Sequence, residues 1–393
     1  MSSARYIVRG GRIVTPSGTV TGSVLIEDGR IGGVGDIPEE DAGQAEVIDA
    51  RGRLILPGLI DLHVQGAGGS DLLSDDPEAV LKVAANLASF GTTAFLATTV
   101  LDTTRDDQPH IRSIVDSVGE RPGCASVLGI HFEGPFISPD KKGMIQKEHI
   151  REASRDYYEW IKDICGGHLR MMTIAPEVPG ALGIIEDMAG CGMIAALGHT
   201  NATYDETLKG IAAGLSHVTH TGNAMRSLHH REPGAFGAVL MSDALTMQII
   251  ADGIHLHPAV LAWLIGMKGP DRFAVITDAI GAMGMPPGEY SYGDVGYTIQ
   301  DGACRYSDGT LIGTALTQPQ MVRRLMGFSD LPLHEAVNMA SLYPARIVGV
   351  SDRKGTIEEG KDADLVICDR ELSVETVFVQ GEPAARWGGR SGE

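Results

Sequence analysis

The chain has 393 residues, 43% of them hydrophobic and 51 of them glycine, enough for a barrel of about 250 residues plus a smaller unit. Thirty-two Lys and Arg against 51 Asp and Glu give a formal net charge of −19, which argues against sequence-independent nucleic-acid binding, because that runs on cationic contacts to phosphate. No apolar run approaches the roughly 20 residues of a membrane span, residues 1–10 lack the apolar core of a signal peptide, and Cys124, Cys165, Cys191, Cys304 and Cys368 are scattered and form no CxxC pair. These features read as a cytoplasmic protein with reduced thiols and no membrane or nucleic-acid partner.

In chain order, residues 6–8, 12–14, 23–27 and 30–34 read as short strands, with turns at Gly10-Gly11 and Asp28-Gly29; Asp-Gly is a hairpin signal. Eight apolar strands then follow at 59–62, 92–97, 126–132, 169–174, 193–197, 215–219, 246–251 and 272–277. Helical stretches fall between most of them, at 77–89, 110–118, 154–163, 180–189, 203–213 and 258–267. Strands apolar throughout and separated by helices indicate a parallel sheet buried on both faces, and eight such units indicate closure. The chain ends as it began, with strands at 355–357, 363–368 and 374–380. The predicted fold is an α/β protein: a (β/α)8 TIM-like barrel over residues 57–350, with a small β-sandwich domain formed by both chain ends, 1–56 and 351–393. A doubly wound sheet is the runner-up, but no GxGxxG follows a first strand.

Position is the informative feature of the reactive side chains. His63 follows the first predicted barrel strand, Glu133 the third, His199 the fifth and Asp278 the eighth; His220 closes the sixth and His255 lies just past the seventh. In a barrel all six share the rim where active sites occur. A lone strand-end His is more often a hydrogen-bonded wall residue, Glu133 alone could be a turn residue, and Asp278 alone could be a helix cap. Together, His199 and His220 on successive strands with Glu133 match a catalytic site of two His and one carboxylate that keeps an open position, suited to zinc and also to iron. Asp278 beside such a metal reads as the general base. His131 is expected to point away from Glu133 or back into the barrel wall, and His217 is left open. The cluster His229-His230-Arg231 is either a solvated loop or an anion site.

These segments resemble the N-acetylglucosamine-6-phosphate deacetylase family of the amidohydrolase superfamily. The matching stretches are Pro57-Gly-Leu-Ile-Asp61, Glu133-Gly-Pro-Phe136, Lys141-Lys-Gly143, Ala175-Pro-Glu177, Gly198-His-Thr-Asn-Ala202, Thr219-His220 with Asn223-Ala-Met225, Arg231-Glu-Pro-Gly234, Ala251-Asp-Gly253 with His255, Thr277-Asp-Ala279, and Leu342-Tyr-Pro-Ala-Arg346. They span nearly the whole chain in the family's order. The resemblance implies metal ligation by Glu133, His199 and His220, with His63 as a further metal-site residue, and acid/base work by Asp278. It implies substrate contacts from His255, Asn223, Ala224, Arg231, Gly143 of the Lys-Lys-Gly turn, and Ile312 of the lining stretch 309–314. It also implies a homodimer, in which Arg231 serves the neighbouring subunit, and hydrolysis of an N-acetyl amino sugar, N-acetylglucosamine 6-phosphate before others.

The chain departs from the pattern in places. Gln65 stands where many amidohydrolases carry the second His of His-x-His, so one tightly held divalent metal is expected and a second, weaker site at most. Ile145 replaces a phosphate-side His, which bears on the need for the 6-phosphate. Thr221-Gly222, Thr314 and Gln318 also differ from the usual residues. Three other readings compete: a cyclic amidase, which would want a bridging Lys at a strand end that this chain lacks; a deacetylase of another N-acetylated sugar; and a non-catalytic binding protein on the same fold.

Overall fold

The computed structural model describes residues 5–38, 40, 43–292 and 295–384. β1 (Tyr6–Thr15), β2 (Gly18–Glu27) and β3 (Arg30–Gly35) form an antiparallel meander, with β4 (Glu46–Asp49) and β5 (Leu54–Pro57) parallel to β1. The Asp28-Gly29 pair makes the expected hairpin, both residues at positive φ (49° and 76°), which suits the twist of the strands it joins. Gly10-Gly11 is a correction: no turn splits 6–8 from 12–14, because the glycines form a bulge inside the single strand β1. A Cβ at Gly11 would lie 2.6 Å from Ile55 Cδ1, so glycine lets β5 approach.

The first barrel strand, β6 (Leu59–Val64), is fully buried. It is followed by a short hairpin, β7 (Gly66–Ala67) and β8 (Ser70–Asp71), then α1 (Ala79–Ser89), β9 (Thr92–Thr99), α2 (Pro109–Val115) and β10 (Ser126–Glu133). Next come α3 (Arg155–Ile164), β11 (Leu169–Ile174), α4 (Ala181–Gly190), β12 (Ile194–Leu197), α5 (Tyr204–Ala213), β13 (His217–Val218), α6 (Gly234–Met241), β14 (Thr246–Ile250), α7 (Pro258–Lys268) and β15 (Phe273–Ile276). Local chemistry starts the helices where they start. Ser154 Oγ accepts the Tyr157 N–H at α3, and Thr203 with Glu206 closes a capping box at α5, satisfying donors that a helix end leaves orphaned. The eight barrel strands pair in parallel in the order β15-β14-β13-β12-β11-β10-β9-β6. A bridge between Val64 and Ala279 brings the two outer strands together, so the barrel is nearly closed, with helices outside.

After β15 an unanticipated four-stranded antiparallel sheet is inserted: β16 (Gly288–Tyr292), β17 (Val295–Gln300), β18 (Ala303–Tyr306) and β19 (Leu311–Thr314). Helices α8 (Gln318–Phe328), α9 (Leu333–Asn338) and α10 (Leu342–Ile347) return the chain to β20 (Leu365–Cys368), β21 (Val374–Val379) and β22 (Glu382–Pro383). β20 pairs with β5, so both chain ends join one sheet, and residues from Tyr6 to Phe378 pack in one separate apolar cluster there. The expected strand at 355–357 is absent. Gly355 is at φ 90° and a Cβ on it would meet Ala345 Cβ at 2.9 Å, so this stretch is a turn packed on α10. Among the described residues no helix is long and apolar enough to cross a membrane, and all five cysteines are free.

Candidate active site

The barrel strands deliver the reactive residues at their C-terminal ends. Glu133 is the last residue of β10, while His199, His220 and Asp278 each lie two residues past β12, β13 and β15. All three of the latter have positive φ, 46°, 26° and 49°, as does Ala224 at 48°; these are four of the eight non-glycine residues in that region among the described ones. Such backbone costs energy in a residue with a Cβ and gathers where a side chain must be aimed.

The aim is at one point. Glu133 Oε1 lies 3.0 Å from both His199 Nε2 and His220 Nε2, and the two ring nitrogens are 3.1 Å apart. His199 Nδ1 sits 2.8 Å from the Lys141 carbonyl oxygen. That oxygen can only accept, so in the neutral ring Nδ1 carries the proton and Nε2 presents a lone pair. The His199 Nε2 lone pair and a buried carboxylate oxygen this close repel one another unless a cation sits between them. The ligand atoms of these three residues fall within 4.8 Å of one another, and two nitrogens with one oxygen suit zinc or iron.

His63 stands on the other side of Glu133, outside that trio. Its Nδ1 meets Gln248 Oε1 at 3.2 Å. Its Nε2 lies 3.3 Å from Asp278 Oδ1 and 3.5 Å from Glu133 Oε2, yet in neither case with hydrogen-bond geometry. Burial disfavours charge on His63, but the carboxylates of Glu133 and Asp278 outweigh it and push the ring up to about 9. Burial likewise opposes charge on Glu133, and His63, followed by His199 and His220, holds its carboxyl well below the usual range. Burial lowers His220. Gln65 donates its amide to Glu133 Oε2 at 3.0 Å, placing a hydrogen-bond donor where a second metal would need an electron pair.

A cavity of about 260 Å³ opens above this cluster. Glu133, His199, His220, Asp278, His255, Asn223, Ala224, Gly143 and Ile312 all line it, as do Gln65 and Asp140. His255 is oriented by Asp252, whose Oδ2 is 2.7 Å from Nδ1, leaving Nε2 as the ring atom for the cavity. Gly143 is at φ 54°, and a Cβ there would come within 3.0 Å of His199 Cε1. Two of the expected site residues are not in this wall: His63, which lies fully buried behind Glu133, and Arg231, which is on an exposed loop with Nη1 2.6 Å from His230 Nε2. Ile145 is buried and does not line the cavity; Lys141 is the one Lys or Arg among the described residues that does.

His131 corrects an expectation. It is two residues from Glu133 on one strand and therefore shares its face. Its ring lies in the barrel interior below the site, 4.8 Å from the His63 ring, with Nε2 2.9 Å from Thr173 Oγ1. Burial lowers it well below the ordinary histidine value. His217 is a wall residue against Thr246 Oγ1 at 2.7 Å. Sequence reasoning missed the groups that orient the site: Gln248, whose Oε1 also accepts the His220 N–H at 3.2 Å; Glu177, which accepts from Thr200 Oγ1 and Asn201 N at 2.6 Å each; Asp252; and Asp61. The available signal was a polar residue inside an apolar strand (Gln248) or an acid inside a matched segment (Asp61, Glu177, Asp252).

The amidohydrolase family profile matches residues 54–384. An N-acetylglucosamine-6-phosphate deacetylase of Bacillus subtilis (strain 168) is 33% identical over 95% of both chains. An N-acetylgalactosamine-6-phosphate deacetylase of Escherichia coli O157:H7 is 33% identical over 97% of this chain and 99% of its own. The solved structure of a Mycobacterium smegmatis N-acetyl-D-glucosamine-6-phosphate deacetylase mutant, in complex with N-acetyl-D-glucosamine-6-phosphate, superposes with a TM-score of 0.87 at 29% identity, covering 98% of this chain and all of that one. This chain belongs to the amidohydrolase family, and within it to the N-acetylglucosamine-6-phosphate deacetylase family.

Proposed function

We propose that the protein removes acetate from N-acetylglucosamine 6-phosphate, giving glucosamine 6-phosphate. The observation that carries this reading is the convergence of Glu133, His199 and His220 on one point beside Asp278, at the floor of a cavity of sugar-accommodating size. Zinc, with iron as the alternative, held by those three residues would supply Lewis-acid polarisation of the acetamide carbonyl and a water of lowered pKa. Asp278 accepts the proton of the attacking water and returns it to the amine nitrogen as the C–N bond breaks, since an unprotonated amide nitrogen leaves poorly. His255, steadied by Asp252, hydrogen-bonds the carbonyl oxygen or a sugar hydroxyl. Asn223, Ala224, Gly143 and Ile312 contact the sugar from the cavity wall. His63 is an auxiliary ligand position behind Glu133, and the Gln65 amide limits the site to one tightly held metal.

The same reading takes the catalytic barrel as residues 57–350 and the protein as a cytoplasmic homodimer. Arg231 is exposed, as are Leu228 and Met241 on the same stretch of chain, at 50% and 74%; exposed apolar side chains and an Arg on an exposed loop suit a second copy whose substrate phosphate the Arg would meet. The Escherichia coli relative supports a second reading, the C4-epimeric N-acetylgalactosamine 6-phosphate, at equal identity. Acetate release is measured on both sugars with and without the 6-phosphate. Turnover of the phosphorylated glucosamine derivative above the rest is expected; equal rates with and without phosphate would overturn the substrate assignment.

A further inference from the structure

Each neighbouring pair of barrel strands is joined by a backbone ladder except β15 and β6. There the backbone pairs through single bonds, among them Gln65 N–H to the Ala279 carbonyl oxygen at 2.7 Å, and a carboxylate reinforces the same seam. Asp61, fully buried on β6, accepts the His63 N–H on Oδ1 at 3.1 Å and the Thr277 N–H on the same oxygen at 3.4 Å, and its Oδ2 accepts the Thr277 hydroxyl at 2.6 Å. One side chain therefore grips both strands at their ends. Immediately beyond it, the Asp278 N–H donates to the His63 carbonyl oxygen at 3.0 Å, and the two side chains face each other with His63 Nε2 3.3 Å from Asp278 Oδ1.

We propose that Asp61 is a positioning residue that sets the spacing between His63 and Asp278 through Thr277. The proposal rests on the function argued above, in which Asp278 moves the proton. Thr277 is held from its other side as well: its Oγ1 accepts the Ala279 N–H at 3.2 Å, and its carbonyl accepts the Thr314 hydroxyl at 2.7 Å. Asp278, at φ 49°, thus follows a residue held from both sides. Gly313 completes the clamp, since a Cβ there would lie 2.3 Å from the Asp278 carbonyl oxygen. The two oxygens of Asp61 accept three donors shared between the two strands, so the carboxyl fixes the seam one residue from the reacting group.

The test compares Asp61→Asn, Thr277→Val and Thr277→Ser. Asn keeps the shape and an acceptor for both N–H groups but sets an NH2 against Thr277 Oγ1; Val deletes the hydroxyl with little change of volume; Ser restores it. We expect the Asn and Val variants to fold and to hold metal as the parent does, with kcat lowered about tenfold to a hundredfold and KM within about threefold, the pattern of a misplaced group that does not bind substrate. Thr277→Ser recovers the parental kcat. In crystals of Thr277→Val the His63–Asp278 separation departs from the parental value by more than about 0.5 Å, the tolerance of a productive site. Unchanged kcat, unchanged spacing, or a loss that tracks the folded or metal-loaded fraction would overturn the proposal. The crystallographic readout needs no substrate, so a parent chain inactive on every sugar would refute the function while leaving this spacing result decisive.

Discussion

Replacing Lys354 by Met removes the one Lys or Arg that is buried among the described residues, where the chain returns from the barrel to the terminal sheet. Lys354 Nζ lies 2.8 Å from Asp362 Oδ2 and 2.7 Å from Asp364 Oδ2, and its side chain is 1% exposed. Asp362 keeps Arg353 at 2.9 Å and Arg30 at 2.6 Å, whereas Asp364 retains the Gln380 N–H on its other oxygen. The substitution therefore strands one buried carboxylate rather than two. Breaking a buried pair from one side costs about 3–5 kcal/mol, and a single stranded group belongs at the lower end, about 3 kcal/mol. Urea unfolding at neutral pH measures it, and Lys354→Met with Asp364→Asn should recover most of the loss because no unpaired charge remains. Burial opposes the Lys354 ammonium, but Asp364 and Asp362 outweigh it and raise its pKa above the usual 10.5. On the alkaline side the stabilisation is thus fully present up to about pH 10.5 and fades as pH rises through the higher folded value. Parent and variant should converge in strong alkali. A penalty under about 1 kcal/mol at neutral pH, or no recovery in the double variant, would refute this reasoning.

Two further outcomes follow from the site. Asp278→Asn should retain metal, read by elemental analysis, and release acetate at least about a hundredfold more slowly, the usual effect of deleting a general acid/base; near-parental turnover would remove Asp278 from that role. Gln65→His replaces the amide that donates to Glu133 Oε2 with an imidazole lone pair; bound metal should rise from about one to about two per chain, because imidazole is a far better ligand than an amide nitrogen. A parent chain that already holds two would contradict the blocking role given to Gln65.

The barrel was legible because its strands are buried on both faces, and burial writes long apolar runs into a sequence. Leu169–Ile174 forms with the expected limits, and the other strands shift by a residue or two at their ends. The ends of those runs in turn mark Glu133, His199, His220 and Asp278 as residues of one rim. The inserted β16–β19 sheet was not legible: β17 alternates exposed and buried residues over only its last five positions, and its neighbours carry glycine and polar residues. Helix α6 was hidden by the same property, since Gly-Ala-Phe-Gly-Ala-Val-Leu-Met is apolar throughout and shows no helical stripe. At the site, sequence position gives the rim but not which side of Glu133 a ring occupies, so the place of His63 behind Glu133 was not legible. The groups that orient it act across strands far apart in the chain, as Gln248 does on His63 and His220, and no local pattern encodes such a contact.

The central claim is that a metal held by Glu133, His199 and His220 makes this cavity a deacetylase. Its most direct test is acetate release from N-acetylglucosamine 6-phosphate by chain stripped with a chelator and then titrated with zinc or ferrous iron, beside Glu133→Gln treated identically. Activity should vanish on stripping and return at about one equivalent of metal in the parent, as expected of a mononuclear site, and Glu133→Gln should stay inactive at the same metal concentration. Full turnover by the stripped parent chain, or parental activity in Glu133→Gln, would contradict the account.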